Sequence, residues 1–464
     1  MLRARAAARR GRSVTADRHG RVGRRDPHGA ARHGRLRLRP AVPRSRVRTH
    51  GRGTHARGEG RRLPSRPRRA RPRAPAGRPR PAVKLPPLSL YVHVPWCVRK
   101  CPYCDFNSHA LAGELPEAQW LERIRVDLDG ELEAAAGRTL TSVFIGGGTP
   151  SLLSAATVAG LLEAIAARFT LAPEAEITLE ANPGTAEAER FAAFRRAGVN
   201  RLSIGVQSFD DDALARLGRI HDGAEARRAL AFAAAAGFER VNVDLMHGLP
   251  GQTPEAALAD LEVALDAGVR HLSWYQLTIE PNTAFHSRPP ALPVEEVLAR
   301  IEDEGAARLR AAGLARYEVS AWAVPGEESR HNLNYWRFGD YLGVGPGAHG
   351  KVTRADGSVL RTRRTRAPKD WFGAAGDDAP ARNETPVAPE ALPEEFMMNA
   401  LRLIDGVEEE LFTAHTDLAL ARIAPTLEGL RADGLLREDR LAATDLGLRF
   451  LDRTVSAFLD SPAG

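Results

Sequence analysis

Six short runs rich in β-branched and apolar residues recur along the chain at 88–94, 142–145, 176–180, 201–206, 240–245 and 271–277. Between them lie stretches at 117–132, 155–168, 186–197, 225–236 and 254–267 whose Ala, Leu, Glu and Arg follow a 3.6-residue period. This alternation is the tightest constraint on the fold. Strand–helix–strand units join parallel strands through right-handed crossovers, so the pattern predicts an α/β protein with a parallel sheet. A further helix and strand at 294–312 and 316–320 extend the series. Six or more units suit a partial (β/α)6-type barrel, although a doubly wound open sheet meets the same pattern. In both, ligands sit beyond the carboxyl ends of the strands. The segments 95–104, 146–150, 180–183, 207 and 244–250 fall there. Past residue 380 the pattern changes. Pro386, Pro389 and Pro393 mark a linker, and a helix then starts with Glu394 and Glu395 in its first turn, where carboxylates favour the helix dipole. Two or three short helices and a small wing at 435–443 predict a mainly helical, winged-helix-like domain over 381–464, after a barrel over 83–380.

The charge balance averages two unlike segments. Residues 1–82 hold 27 Arg, no Lys and three acids (Asp17, Asp26 and Glu59), a net of +24, which leaves −16 for the remainder of a chain whose total is +8. The first segment has few large apolar side chains and is expected to be disordered. A nucleic-acid-binding tail and a transit peptide are possible readings. GC-rich non-coding DNA read from a mis-chosen start gives the same composition, and translation is expected to begin near Val83. The acidic remainder offers no basis for nucleic-acid binding. With 43% hydrophobic residues overall the chain can build a substantial core, and no run approaches the ~18 apolar residues of a membrane span.

All three cysteines lie in Cys97-Val-Arg-Lys-Cys101-Pro-Tyr-Cys104, directly after the first predicted strand. Three thiolates on one tight loop can each bind one iron of a [4Fe–4S] cluster and leave the fourth iron open to a small chelating molecule. The competing readings are a zinc site, with His93 or His109 as a fourth ligand, and a redox pair at Cys101 and Cys104. Forty residues on, Gly146-Gly-Gly-Thr-Pro150 follows the second strand and would present backbone N–H groups without side-chain obstruction.

These motifs resemble the radical S-adenosylmethionine (SAM) superfamily. Residues 86 to about 455 resemble its oxygen-independent coproporphyrinogen III oxidase group. The resemblance implies SAM chelated to the open iron and cleaved to a 5′-deoxyadenosyl radical. It places Tyr91, Tyr103, Gly147, Gly148, Thr149, Glu180, Gln207, Arg219 and Asp244 at SAM-contacting positions, with Thr278 and Ser320 as further candidates. The chemistry agrees: a carboxylate at Glu180 accepts from an ammonium or a ribose hydroxyl, Arg219 offers a cation to the methionyl carboxylate, and Asp244 suits ribose hydroxyls. Each is also the kind of strand-end residue that caps a following helix.

Two features separate the chain from the oxidases within that group. The oxidases carry a fourth cysteine two residues after the third, where this chain has Phe106. The run His331-Asn-Leu-Asn-Tyr-Trp336 matches H-N-x-x-Y-W, the motif of the HemW-type haem chaperones, and Glu395–Asn399 matches as well. The resemblance implies haem held by His331 as axial ligand, beside Asn332, with Tyr335 and Trp336 against the porphyrin face. The Gly-rich run 343–349 is expected to let a flat ligand approach. The competing reading makes Tyr335 and Trp336 core aromatics and His331 a surface residue. Arg361, Arg363, Arg364 and Arg366 are expected to form a solvated loop rather than a grip on haem propionates.

The sequence thus predicts a cytoplasmic haem chaperone on a radical SAM scaffold, with a [4Fe–4S] cluster at Cys97, Cys101 and Cys104, SAM and haem. Its partners would be a haem-accepting protein, such as a respiratory enzyme, and a one-electron donor such as flavodoxin or ferredoxin. The alternatives are an oxidase that decarboxylates coproporphyrinogen III to protoporphyrinogen IX and a binding protein with a vestigial SAM site.

Overall fold

The computed structural model describes residues 84–185, 187–374 and 382–459. The Arg-rich segment, its expected start near Val83 and the expected domain boundary at 380/381 lie outside the described residues.

Six strands, β1 (Leu88–Val94), β2 (Leu140–Gly147), β3 (Leu171–Ala181), β4 (Arg201–Gln207), β5 (Arg240–His247) and β6 (His271–Gln276), pair in parallel in chain order. Helices α1 (Glu117–Asp129), α2 (Ala155–Ala166), α3 (Ala188–Ala197), α4 (Gly223–Ala235) and α5 (Pro254–Asp266) join them, and α6 (Glu295–Ala311) follows β6. This order never reverses. A doubly wound sheet reverses at its switch point and so places helices on both faces. An unreversed order with right-handed crossovers puts every helix on one face and curls the sheet into a barrel.

The six-strand core is extended on both sides. Beyond β6 comes the hairpin β7 (Ala315–Glu318) and β8 (Ala321–Ala323), with β8 antiparallel to β6. On the other side β9 (Asp340–Val344) lies parallel to β1 and leads into the antiparallel strands β10 (His349–Thr353), β11 (Val359–Arg364) and β12 (Arg382–Pro386). The short helix α7 (Arg330–Trp336) precedes β9.

Strand alternation sorts the side chains. Leu90, Val92, Val143, Ile145, Leu179, Leu202, Ile204, Val243, Leu245 and Leu272 are buried in the main core shared with the helices. The opposite positions face the barrel lumen, and the parallel registers align Ser89 with Ser142, Ser142 with Glu176, Thr178 with Arg201, Ser203 with Asn242 and Asp244 with Ser273. The lumen is therefore polar, unlike the branched apolar filling of a closed eight-stranded barrel.

Two sequence expectations need correction. The arginine run is not a solvated loop but most of β11. Arg361 donates to Glu395 Oε2 (2.6 and 3.0 Å) and to the Tyr341 hydroxyl (2.8 Å), and Arg364, 4% exposed, is bound by Asp127 (2.9 Å) and Glu131 (2.6 Å). Only Arg363 and Arg366 of the four are exposed. The proline-rich stretch is not an open tether either. Pro386 ends an edge strand, and Pro393 sits in the first turn of the largely buried α9 (Leu392–Ala400), where its missing N–H is harmless. Here α8 is Pro368–Gly373. After α9 come α10 (Glu409–Thr416), α11 (Ala424–Ala432), α12 (Asp445–Arg449) and α13 (Leu451–Ser456), with bridges Leu436↔Ala443 and Val407↔Leu441 in place of a full wing. Phe396, Met397, Phe412, Ile423, Leu427 and Leu441 build a second core there.

Candidate functional site: a thiol loop above a polar lumen

The cysteine loop leaves the carboxyl end of β1 and is closed by a two-residue parallel pairing of Trp96–Cys97 with His109–Ala110. Cations hold it from several sides. Arg99 donates to the carbonyls of Gly218 (2.6 Å) and Arg219 (2.8 Å), and Lys100 to those of Phe106 (3.0 Å) and Ser108 (3.2 Å). Asn107 donates to the Pro346 and Arg366 carbonyls, both at 2.9 Å. Cys97, Cys101 and Cys104 are unpaired and half-buried. Burial pushes the Cys97 thiol up, against the hydroxyls of Thr149 and Ser108. Among the described residues no three His, Cys, Asp or Glu side chains group as ligands of a metal ion. His93, considered as a zinc ligand, has both ring nitrogens engaged, with the Tyr91 hydroxyl and the Asn107 carbonyl, each at 2.9 Å.

The Gly-rich run does something other than expected. Its N–H groups are not open to a ligand. Gly147 donates to Glu180 Oε2 (2.8 Å), Gly148 to the Val94 carbonyl (2.7 Å) and Thr149 to the Trp96 carbonyl (2.7 Å). Gly147 has φ +117°, and a Cβ there would collide with the His93 ring; a Cβ on Gly148 would collide with the Trp96 carbonyl. The glycines let the end of β2 lie directly under the cysteine loop. The run 343–349 behaves alike: a Cβ on Gly345 would strike the His93 backbone and one on Gly347 the Asn107 side chain. Close chain packing, not a flat ligand, accounts for it.

The remaining residues expected at SAM positions gather at this end of the barrel. Arg219 reaches Cys101 Sγ (3.5 Å), the Tyr103 hydroxyl (3.4 Å) and the Gly205 carbonyl (2.6 Å), while its buried Nε has no partner. Gln207, held at φ +73°, accepts from the Tyr275 hydroxyl at 2.7 Å. Glu180 is pushed up to about 7 by burial, against the Gly147 N–H, with the charge of Asp244 adding to the rise. Burial likewise raises Asp244, against donors on Asn242, Ser273 and Ser203. Both carboxylates line a cavity of about 180 Å³ whose other walls include Phe144, Thr178, Arg201 and His271. The buried Thr178 Oγ1 and Arg201 Nη2 on those walls have no partners. Tyr91 stands deeper, stacked near Phe144 and His331. Thr278 and Ser320 stay outside: Thr278 donates to Glu280 at 2.7 Å, and Ser320 lies in the β7–β8 turn.

The H-N-x-x-Y-W run lies at the other end. Helix α7 plugs the amino-terminal side of the lumen, its N–H groups at Arg330 (2.9 Å) and His331 (3.4 Å) received by Glu176. His331 is 2% exposed, stacked on Phe144 at 4.8 Å, with Nδ1 3.3 Å from Ser142 Oγ and Tyr335 edge-on at 4.6 Å. Burial drives its imidazole down to about 3, and Nε2 has no partner. Trp336 lies under Arg402 (4.3 Å) against the second core. Asn332 alone of the motif lines the cavity. The expected axial ligand and stacking pair are thus closed off, because His331 is a barrel plug. In this closed arrangement His331, Tyr335 and Trp336 do not line the cavity, so the motif's haem-facing groups are not presented there.

A radical SAM superfamily model matches residues 91–264, and a HemN C-terminal domain model matches residues 387–450. The Heme chaperone HemW of Escherichia coli (strain K12) is 52% identical over 379 residues, spanning 81% of this chain and 99% of that protein. The chain belongs to the HemW family of radical SAM proteins. Its Haemophilus influenzae relative of the same name is 46% identical over 81% of this chain and 99% of that protein. The solved E. coli coproporphyrinogen III oxidase (HemN), described as a radical SAM enzyme, shares the fold with TM-score 0.68 at 24% identity, over 81% of this chain and 90% of that one. For a HemW-family chain the thiol loop fits the superfamily's [4Fe–4S] cluster: three thiols with a guanidinium on one of them, beside an orphaned Arg219 Nε suited to an anionic group.

Sequence reasoning missed Ser203, Asn242, His271 and Tyr275, and considered His93 only as a zinc ligand. The signal was present as polar residues at alternate positions of the strands, as in Arg-Val-Asn-Val-Asp from Arg240.

Proposed function

We propose that this chain is a haem chaperone, binding haem and passing it to an acceptor haem protein, with a [4Fe–4S] cluster on Cys97, Cys101 and Cys104 and SAM above the lumen. The observation that carries the reading is the 52% identity, over 81% of this chain and 99% of the relative, to a protein named Heme chaperone HemW. Phe106, 59% exposed where the oxidases have a cysteine, favours it over coproporphyrinogen III oxidation.

When bound, the cluster supplies the electron that cleaves SAM. The chain's own residues bind and orient. Arg219 faces the methionyl carboxylate, Glu180 accepts from the ammonium, and Asp244 accepts from ribose hydroxyls. Tyr103, Gln207 and the Gly147–Thr149 turn shape the surrounding wall. The alternative roles as caps of the following helices lose ground: Glu180 and Asp244 have no helix N–H as partner and instead take the Gly147 N–H and the Asn242 and Ser203 side chains. Among the described residues no helix is long and apolar enough to cross a membrane. An oxygen-sensitive cluster suits the reducing cytoplasm, where a flavodoxin or ferredoxin would supply the electron and a respiratory enzyme would accept haem. Since His331 is closed in, haem contact lies elsewhere or follows withdrawal of α7.

The test is anaerobic. Reconstituted protein with dithionite, SAM and coproporphyrinogen III should yield no protoporphyrinogen, whereas haem added alone should give a saturable Soret band. Porphyrinogen turnover would overturn the chaperone reading in favour of the oxidase.

A further inference from the structure

The lumen contains a chain of hydrogen bonds that runs one way. Asp244 Oδ1 accepts from Asn242 Nδ2 at 2.8 Å, and the same amide nitrogen donates to Ser203 Oγ at 2.7 Å, which donates to Asp244 Oδ2 at 3.2 Å. With its nitrogen so used, Asn242 must present Oδ1 to His271 Nδ1 at 2.7 Å. His271 therefore carries its proton on Nδ1. Its Nε2 must then accept, and the Tyr317 hydroxyl lies 3.0 Å away. Having donated there, the Tyr317 oxygen accepts from Asn332 Nδ2 at 3.4 Å. Every donor and acceptor is assigned by its neighbour, and the dipoles all point from α7 toward the carboxylate. Asn242 and His271 are 4% and 2% exposed, so bulk solvent does not screen the chain.

We infer that His271, Tyr317 and Asn332 are positioning residues for Asp244, holding its carboxylate toward the ligand space and tying the SAM end of the barrel to α7. This rests on the proposed binding of SAM at Asp244. It gives Asn332 a task inside the protein that haem contact does not require. It also explains an otherwise unnecessary set of buried polar groups, since each link left unpaired would be penalised by its own desolvation.

The experiment uses the full chain with its cluster reconstituted, and reads SAM affinity by calorimetry and the histidine ring nitrogens by 15N NMR. Tyr317→Phe keeps the ring and deletes the link. It should weaken SAM binding about tenfold (~1.4 kcal/mol) at unchanged cluster content. Asn332→Ala should weaken it about threefold, and the double variant should bind within twofold of Tyr317→Phe, because both cuts break one chain. In the wild type His271 should show a protonated Nδ1 and a bare Nε2, and SAM should shift both signals, a shift that Tyr317→Phe should diminish. A purely structural role would leave them in place. SAM affinity within twofold of wild type in Tyr317→Phe, or a protonated Nε2, would overturn the inference while leaving the SAM reading intact. Should Tyr317→Phe fail to load a cluster, Asn332→Ala decides by the same criteria. A wild type that holds its cluster but binds no SAM would overturn both.

Discussion

Glu180 offers a sharp separation of stability from function. Its carboxyl is buried and raised from the ordinary 4.5 to about 7. A carboxyl raised on folding binds its proton more tightly in the native than in the unfolded state, so between those two values stability falls as pH rises. Above pH 7 the full penalty applies: at 1.36 kcal/mol per tenfold step it amounts to about 3 kcal/mol. Glu180→Gln removes the ionisation and keeps an amide oxygen for the Gly147 N–H. The variant should therefore be more stable than wild type at pH 8 by about 2–3 kcal/mol, and equal to it at pH 4.5, where both carry a neutral side chain. Urea unfolding of the cluster-free protein at the two pH values measures this directly. The same variant should lose most SAM affinity once the cluster is restored, because an amide does not attract an ammonium as a carboxylate does. Equal unfolding midpoints at pH 8 would refute the argument that burial and Asp244 destabilise the charged form. Undiminished SAM binding would remove Glu180 from the ligand shell.

Arg364→Ala should cost about 3 kcal/mol, because it removes the buried cation shared by Asp127 and Glu131 and leaves them Arg123 (3.8 Å) and Arg382 (3.0 Å); thermal unfolding reads this as a large drop in Tm. Cys97→Ala should abolish the visible absorption of the cluster while leaving the far-ultraviolet circular dichroism unchanged, since the half-buried thiol lies outside the main core. His331→Ala should destabilise by about 2–4 kcal/mol, as large-to-small core substitutions do. His331→Phe, which keeps the stack on Phe144 and removes the orphaned Nε2, should be at least as stable as wild type. A stable His331→Phe variant that loses the haem Soret band would refute the plug assignment and restore the imidazole as ligand.

The barrel was legible because βα units write both periods into the sequence. The first strand, 88–94, is found where the pattern put it, and the helices differ by a few residues at their ends. What alternation alone left open, barrel or doubly wound sheet, depended on strand order, and order is set by packing between distant segments. The thiol loop was legible because its chemistry is local. The contacts that hold it are not. His93 engages Asn107 fourteen positions away, and Arg219 meets Cys101 across 118 residues. The arginine run misled because a single sequence does not show that Asp127, Glu131 and Glu395 lie opposite it. His331 was harder for a related reason: a histidine beside two aromatics suits a porphyrin and a barrel plug equally, and its burial against Phe144 depends on segments far away in sequence.

The polar lumen explains why one end of this barrel is open chemistry and the other is shut. A curled parallel sheet gathers its strand carboxyl ends around the thiol loop, and its lumen needs a floor. Branched apolar residues would fill it most simply, but they would leave Asp244 without donors from below. The chain instead lines the floor with Glu176, Arg201, Arg240 and His271, then caps them with α7, whose first N–H groups fall on Glu176. Withdrawing α7 to free His331 would strip that buried carboxylate of two donors and break the link from Asn332 to Tyr317. Opening the motif and holding Asp244 in place thus oppose each other. With SAM bound at Asp244 as proposed, a ligand that draws His331 out would weaken SAM binding, and SAM would weaken that ligand's binding by the same coupling free energy.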